Sequence, residues 1–521
     1  MATPEPAQRF LEAPQRRVST LRARIRLSWR RMKASELRFV PWVVLTALLV
    51  APGVAIENWQ YVGLLVSVIG AAALYVRWPT AGLVVLVLLW TITPLVRRLL
   101  DYYAGYTSGP DVLSLAPFFA TLLVGAIAFR AQPPSKAVLI VLGAFGAGLL
   151  YAIPLGVDDP FALLFALFSY PAAAVGLLIG YRDWKRQQMT LEKVLIVLIP
   201  LIAAYGIYQY LTKQLPPWDA LWLKTDAPVS TGRKETGDFR AFSVLNSPGL
   251  LAGVLALFGL MLLVAPRLTP WKIVAGALTM GALAFTQVRS AWLAMGIAMI
   301  ALIPLSRGNI LLRVLPLVCV LGAMYVTVGG STAGQAVVDR ATSVKKGEDD
   351  GSVKSRIDAI TEFAPKAIVA PLGNGLGSVG QAARVSLKGE PPFVDNGYLT
   401  ILWQGGLLGF LLMMGSIVYG TLYGVRNLNK YKRRERFPFL AVIIVSAVMH
   451  LSGDALFGLP AVILWYSLGA LMASSEDPKS EELTIRRKMT RKAAPPPRPA
   501  VGGGMELAPP PRGGGRDSVV A

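Results

Sequence analysis

The chain has one cysteine and one histidine in 521 residues. Cys319 lies inside an apolar run, so a single chain holds neither a disulfide nor a cysteine-based metal site. With His450 the only imidazole, histidine-cluster metal sites and any histidine-dependent catalytic triad that omits it are ruled out. Charge is scarce as well. Asp, Glu, Lys and Arg make up 16% of the chain against 54% hydrophobic residues, and the mean hydropathy is +0.52. A soluble protein of this length would be two or more domains with far more surface charge. Any chemistry therefore falls to Arg, Asp, Glu, Lys, Tyr and hydroxyl side chains, without a cofactor signature.

What the chain has in quantity is apolar runs of roughly 16–23 residues, long enough to cross a bilayer. The first begins only near Phe39 and many follow, which marks a retained membrane helix and not a cleaved signal peptide. Spans are expected near Phe39–Ile56, Tyr61–Val76, Thr80–Val96, Val112–Phe129, Val138–Leu155, Phe161–Tyr181 and Val194–Leu211. Seven more fall near Val244–Ala265, Ile273–Val288, Ser290–Leu305, Arg313–Gly330, Tyr398–Gly420, Phe437–Leu451 and Phe457–Ala473. The pair at 273–305 also reads as a re-entrant hairpin. The expected fold class is an all-α polytopic membrane protein of about 14 transmembrane helices.

The net charge of +22 is concentrated where it orients such a protein. Residues 1–38 hold ten Lys/Arg against three Glu, and Arg426–Arg436 holds six against one. With the N-terminus inside, the connections Arg130–Lys136, Arg182–Lys193, Arg267–Lys272 and Arg307–Arg313 are basic and cytoplasmic too, as the positive-inside rule requires. An even number of spans returns the C-terminus to the same side. These clusters read as topology anchors near anionic lipid, and no nucleic-acid-binding motif accompanies them. The organisation expected is a basic cytoplasmic segment at 1–38, a membrane domain at 39–473 and a Pro/Gly-rich disordered cytoplasmic tail at 474–521. Three polar segments face outward: Arg97–Asp111, Thr212–Phe242 and Ser331–Gly397. The last balances eight Lys/Arg with eight Asp/Glu and is too long for a mere connection, which marks a functional loop. Within it a short helix is expected to stop before Pro365, and Asn374–Ala383 reads as a turn-rich re-entry.

The outer face collects Arg97, Arg98, Asp101, Arg233, Arg240, Arg289, Arg340, Arg356 and Asp395. Arg233, Lys234, Lys345 and Lys346 read as solvated surface charge. Arg97, Arg98, Arg240 and Arg289 differ, because each abuts an apolar span on the face where basic residues are depleted. An anionic ligand explains them economically, since the guanidinium fork gives paired, charge-assisted hydrogen bonds to phosphate and stays protonated. Asp395 opens the helix after the long loop, either as a helix N-cap or as a general base. Pro371-Leu-Gly-Asn-Gly-Leu-Gly-Ser378 lacks the Lys-Ser/Thr of a P-loop and reads as a flexible turn; His450 reads as a solvated helix-end histidine, with a proton relay as the alternative.

Four segments together resemble the O-antigen ligase and polysaccharide polymerase superfamily of bacterial inner-membrane proteins. They are Arg240-Ala-Phe-Ser-Val-Leu-Asn246-Ser-Pro248; Thr286-Gln-Val-Arg289-Ser-Ala-Trp-Leu293; Arg340 through Arg356 to Leu372-Gly-Asn-Gly-Leu-Gly377; and Asp395-Asn396-Gly-Tyr398-Leu with Gly405 to Gly409. The likeness covers roughly residues 235–425. Arg97-Arg98-Leu-Leu-Asp101-Tyr is similar, less specifically, to some exopolysaccharide polymerase-like members.

The resemblance implies metal-independent glycosyl transfer at the outer face of the inner membrane, from a glycan carried on undecaprenyl diphosphate. It implies that Arg240 and Arg289 hold the diphosphate and that Asp395 serves the acceptor. It also places Arg97, Arg98, Asp101, Asn246, Arg340, Arg356, Asn396 and Tyr398 on the substrate side. Ligases of the family usually carry histidine where this chain has Asp395, which leans the expectation toward a polymerase of oligosaccharide repeat units, with a ligase as the alternative. Expected partners are the lipid-linked oligosaccharide, membrane lipid and candidate polysaccharide-export or chain-length-control proteins, with no nucleic acid. A lipid-linked oligosaccharide transporter is a competing reading, but such proteins gather charge at the midplane and carry internal repeats. A sensor or scaffold would not require the outer arginines.

Overall fold

The computed structural model describes residues 59–104, 112–154, 159–182, 184–212, 214–226, 229–232, 239–264, 269–306, 351–385, 396–426 and 433–476. The described residues are helical, with no strand among them. The basic N-terminal segment, the expected spans at Phe39–Ile56 and Arg313–Gly330, residues 477–521, Arg340 and Asp395 all lie outside them.

The helices are α1 (Trp59–Arg77), α2 (Pro79–Ala104), α3 (Ala116–Ala131), α4 (Lys136–Ala152), α5 (Pro160–Ala174), α6 (Gly176–Tyr181), α7 (Trp184–Leu211) and α8 (Pro217–Asp226). After these come α9 (Pro248–Val264), α10 (Pro270–Phe285), α11 (Arg289–Ser306), α12 (Gly351–Val369), α13 (Gly397–Arg426), α14 (Arg433–Met449) and α15 (Gly458–Glu476). Eight stretches are long and apolar enough to cross a membrane, and α4, α9, α10 and the Arg289–Ile303 part of α11 are shorter apolar helices. Each coincides with an expected span. At a rise of about 1.5 Å per residue, α10 with its 16 residues reaches about 24 Å, short of a ~30 Å hydrocarbon core.

Local chemistry sets the helix starts. Proline occupies the first position of α2, α5, α8, α9 and α10, where its missing N–H costs no hydrogen bond. Asp159 accepts from the Ala162 N–H at 3.1 Å, Ser247 from Leu250 at 3.1 Å and Asn396 from Leu399 at 3.1 Å, each capping a helix. The cap of α13 is thus Asn396, which takes the structural role considered for Asp395. One expectation fails: α12 runs through Pro365 to Val369 instead of stopping before it. The proline sits near the helix end, and Ala367 packs with Val379 and Leu399, so burial holds the last turn.

Burial then orders the bundle. α1 turns Tyr61, Leu65, Ile69 and Val76 outward, an apolar stripe suited to lipid, while most of α15 is enclosed by its neighbours. Close approach of helices rests on glycine. A Cβ on Gly148 of α4 would lie 2.6 Å from Met413 Cγ of α13, and one on Gly125 of α3 would lie 2.7 Å from Val175 Cβ. At the ends of the helices expected to be cytoplasmic, buried Lys272 of α10 pairs with Glu192 of α7, and Arg436 donates to the Ser474 carbonyl.

Candidate functional site

Three polar groups lie at the helix ends expected to face outward. The first starts with Arg98, in the last-but-one turn of α2. Its guanidinium is buried and ion-paired through Nη1 with Asp219 Oδ1 at 2.8 Å, and Nη2 donates to the Ser243 carbonyl at 2.8 Å. Trp222 and Phe242 lie under its planar face at 5.4 and 5.0 Å. Asp219, on α8, also accepts from Tyr205 at 2.7 Å and from Gln209 at 2.6 Å. Burial pushes the Asp219 carboxyl up, and Arg98, Tyr205 and Gln209 pull it back down.

All of this converges on Ser243, a non-glycine residue at φ +54°. Its N–H donates to Gln209 Oε1 at 2.6 Å and its hydroxyl to the Ile202 carbonyl at 2.6 Å, while its carbonyl receives Arg98 and Gln209. Left-handed backbone at serine is costly and persists only when its surroundings fix it, as four hydrogen bonds do here. Arg98, expected on the substrate side, is therefore placed as a holder of the strap 239–247. Arg97, partly buried, lies beside it and pairs with buried Asp101 at 3.4 Å, one helical turn on.

The strap carries Arg240 and is tied at that point. The Arg240 N–H donates to Thr231 O at 2.8 Å and the Ala241 N–H to Phe285 O at 3.0 Å. Phe285 ends α10, and the turn Thr286-Gln-Val288 leads straight into Arg289, the first residue of α11. Gln287 takes φ +55° and its amide donates to Tyr210 OH at 3.3 Å; Tyr210 stacks on Phe285 at 4.4 Å. Trp292 Nε1 donates back to Leu283 O at 2.9 Å, closing the turn. Two segments far apart in sequence thus bring half-buried Arg240 and half-buried Arg289 to one hydrogen-bonded junction. Arg289 stands at the N-terminus of an 18-residue helix, the end whose dipole favours anions. Asn246, at the far end of the strap, has a buried Oδ1 with no hydrogen-bond partner among the described residues.

The second group is the glycine loop 371–380. Gly406 (φ +60°, ψ −168°) kinks α13. Beside that break the Trp403 carbonyl accepts the Asn374 N–H at 2.8 Å and the Gln404 carbonyl the Gly375 N–H at 3.1 Å. Leu376 N–H reaches Ala152 O at 2.8 Å, at the end of α4. A Cβ on Gly377 would lie 2.7 Å from the Ala162 carbonyl, and one on Gly406 would collide with Pro371 O. The glycines therefore serve backbone-to-backbone packing, and the loop is a plug between α4, α5 and α13, not the flexible turn expected.

The third group surrounds the mouth of α13. Tyr398 donates to the Ala447 carbonyl at 2.8 Å and packs edge-on against His450 at 4.6 Å. His450 is buried, unlike the solvated histidine expected, and its Nδ1 accepts the Ala455 N–H at 3.0 Å. Four residues on, half-buried Asp454 accepts from Tyr170 of α5 at 3.2 Å and from the Leu456 N–H at 3.0 Å. Burial pushes its carboxyl up to about 6. The groups are linked through α9: Gly253 packs on Met449 and Pro460, so the strap that precedes α9 and the 450–457 turn flank its N-terminal end. Arg356 belongs to α12, and its side chain lies outside the described residues. Among the described residues no three His, Cys, Asp or Glu side chains converge on a metal-sized site.

Sequence reasoning missed Asp219, Gln209, Tyr170 and Asp454. The one available signal was Pro217-Trp-Asp219-Ala-Leu-Trp222, an acid between two tryptophans in an outward loop, which only burial explains.

Comparison with known families matches residues 273–414 to the O-antigen ligase family, a little over a quarter of the chain. The matched segment contains Arg289, Arg340, Arg356, Asp395, Asn396 and Tyr398 and begins after Arg240. No curated protein matches the chain.

Proposed function

We propose that a chain built around an O-antigen ligase segment, as this one is, transfers a glycan from a polyprenyl diphosphate at the outer face of the bacterial inner membrane. The observation that carries the reading is the junction at Ala241 and Phe285, which ties Arg240 to the helix N-terminus bearing Arg289. The attacking hydroxyl of the acceptor sugar forms a bond to the anomeric carbon, the bond from that carbon to the diphosphate oxygen breaks, and the lipid diphosphate departs. Charge builds on the leaving diphosphate, and preorganised cations aimed there are the strongest means of stabilising it. Arg240 and Arg289 supply two, with the dipole of α11 behind them. At about 24 Å, α10 falls short of a ~30 Å hydrocarbon core, which suits a junction within reach of a lipid headgroup whose chain stays in the bilayer. Asp395, beside the Asn396 cap, aligns the acceptor hydroxyl. Arg98 acts at one remove by holding the strap.

The preferred reaction is polymerisation of lipid-linked repeat units, because a carboxylate stands at 395 where ligases usually carry histidine. Ligation to another acceptor is the second reading, and the description of the matched family favours it. A glycan gel of the deletion strain separates them. Lipid-linked single repeats indicate a polymerase; finished polymer that never reaches its acceptor indicates a ligase. In the same strain Arg240→Lys and Arg289→Lys, which keep the charge and lose the bidentate fork, should each cut product steeply at normal protein level. Near-wild-type product from both would overturn the diphosphate clamp.

A further inference from the structure

An ionisable side chain among membrane helices is costly, and such groups usually serve function. Asp454 is one the reaction above does not use. It sits in the turn between α14 and α15, and that turn lies against the mouth of α13: a Cβ on Gly397 would come within 2.7 Å of the Gly453 carbonyl. From α5, Tyr170 OH donates to Asp454 Oδ2 at 3.2 Å. From the glycine loop and α13, Gly380, Thr400 and Gln404 close the other side. The point where a Gly380 side chain would begin is 3.8 Å from Asp454 Oδ2, 3.9 Å from Gln404 Nε2 and 3.0 Å from Thr400 Cγ2. Gln404 is buried; its amide nitrogen donates to Val379 O at 2.8 Å and its Oε1 has no hydrogen-bond partner among the described residues. The carboxylate and the amide oxygen therefore offer acceptor capacity to a hydroxyl-bearing ligand, and glycine at 380 puts no side chain against them.

We propose that Asp454 is an acid–base residue of this reaction, taking up the proton that the acceptor hydroxyl releases as the new glycosidic bond forms and the bond to the diphosphate breaks. The proposal rests on the glycosyl-transfer reading. The proton is returned to water after the product leaves, so the carboxylate is regenerated and no co-reactant is needed. Its environment suits that role, since a base is most effective when its pKa lies near the working pH and burial has moved Asp454 to about 6. The titratable group that touches it is Tyr170 of α5, and His450 stands four residues before it in the chain. Those facing it from α13 and the glycine loop, Gln404, Thr400 and Gly380, carry no charge.

The test uses the full-length protein in nanodiscs with undecaprenyl-diphosphate oligosaccharide extracted from the polymer-deficient strain, and reads product against pH. Wild-type rate should fall to about half its plateau near pH 6 and continue down in acid. Asp454→Asn should lose about 10²–10⁴ in rate while retaining donor binding. It should also be no less stable than wild type above pH 6. A folded-state pKa raised above the unfolded value stabilises fully only below the unfolded pKa, and that contribution is lost as pH rises through about 6. Asparagine removes the buried charge responsible. Tyr170→Phe deletes a hydrogen bond that favours the carboxylate, so its acid limb should move to higher pH. A merely structural Asp454 would leave that limb in place. Asp454→Asn within threefold of wild-type rate, or an acid limb unmoved in Tyr170→Phe, overturns the proposal. If that happens while Arg240→Lys and Arg289→Lys are inactive, the glycosyl-transfer reading stands and only the role of Asp454 falls.

Discussion

Removing Asp219 should disable the protein from within its outward loop. In Asp219→Ala the Arg98 guanidinium, 1% exposed, loses its counter-ion while remaining enclosed by Trp222 and Phe242. Tyr205 and Gln209 each lose one acceptor in the same step. Breaking a buried pair from one side costs about 3–5 kcal/mol, against roughly 0–1 kcal/mol for an exposed pair. Net stabilities of folded domains are only about 5–15 kcal/mol, so the loss should be plain in detergent unfolding followed by tryptophan fluorescence. Trp218 and Trp222 are placed to report it.

The companion variant separates charge from packing. Arg98→Met with Asp219→Leu replaces both ions by apolar groups, and such replacements are often neutral or stabilising by about 1–4 kcal/mol. The double variant should therefore unfold near wild type while remaining poor in turnover, because Ser243 has lost the Arg98 bond to its carbonyl and the Arg240 strap is less firmly held. If Asp219→Ala costs less than about 1 kcal/mol, the value of a surface pair, the buried clamp is wrong. If the double variant turns over normally, the clamp is real but does not position the strap.

Two further outcomes follow from the loops. Gly406→Ala puts a Cβ against Pro371 O at a residue with φ +60°, so the plug should be displaced at a cost of about 1–3 kcal/mol and the thermal midpoint should drop; an unchanged midpoint would mean that the plug is not tightly packed. Glu362 is exposed on α12, so Glu362→Cys in a Cys319→Ser background should label from outside intact spheroplasts; labelling only after permeabilisation would invert the orientation read from the basic loops.

The apolar helices were legible in the sequence because each is a local property. The apolar run at 138–155 and the helix Lys136–Ala152 describe the same object, whereas the cap of α13 falls on Asn396, one residue past the Asp395 considered for it. The family segment was legible for a related reason, since Arg289-Ser-Ala-Trp292 and Asp395-Asn-Gly-Tyr398 are short motifs in a fixed order. Pairing across long separations was not. Arg98 and Asp219 are 121 positions apart, and neither signals the other; an arginine beside an apolar span looks the same whether it awaits a phosphate or is already neutralised by a buried acid. The glycine loop misled in the same way, because glycine permits both an open turn and backbone-on-backbone packing, and only Ala162 and Pro371 decide between them. Asp454 was hidden by its neighbour His450, which drew attention as the unique histidine but is buried with its Nδ1 already occupied. Composition thus identified the residue types left to do chemistry. Assigning them divides the arginines into one that holds the strap and two at the junction it forms, and that division is a property of burial, which no residue carries in its own name.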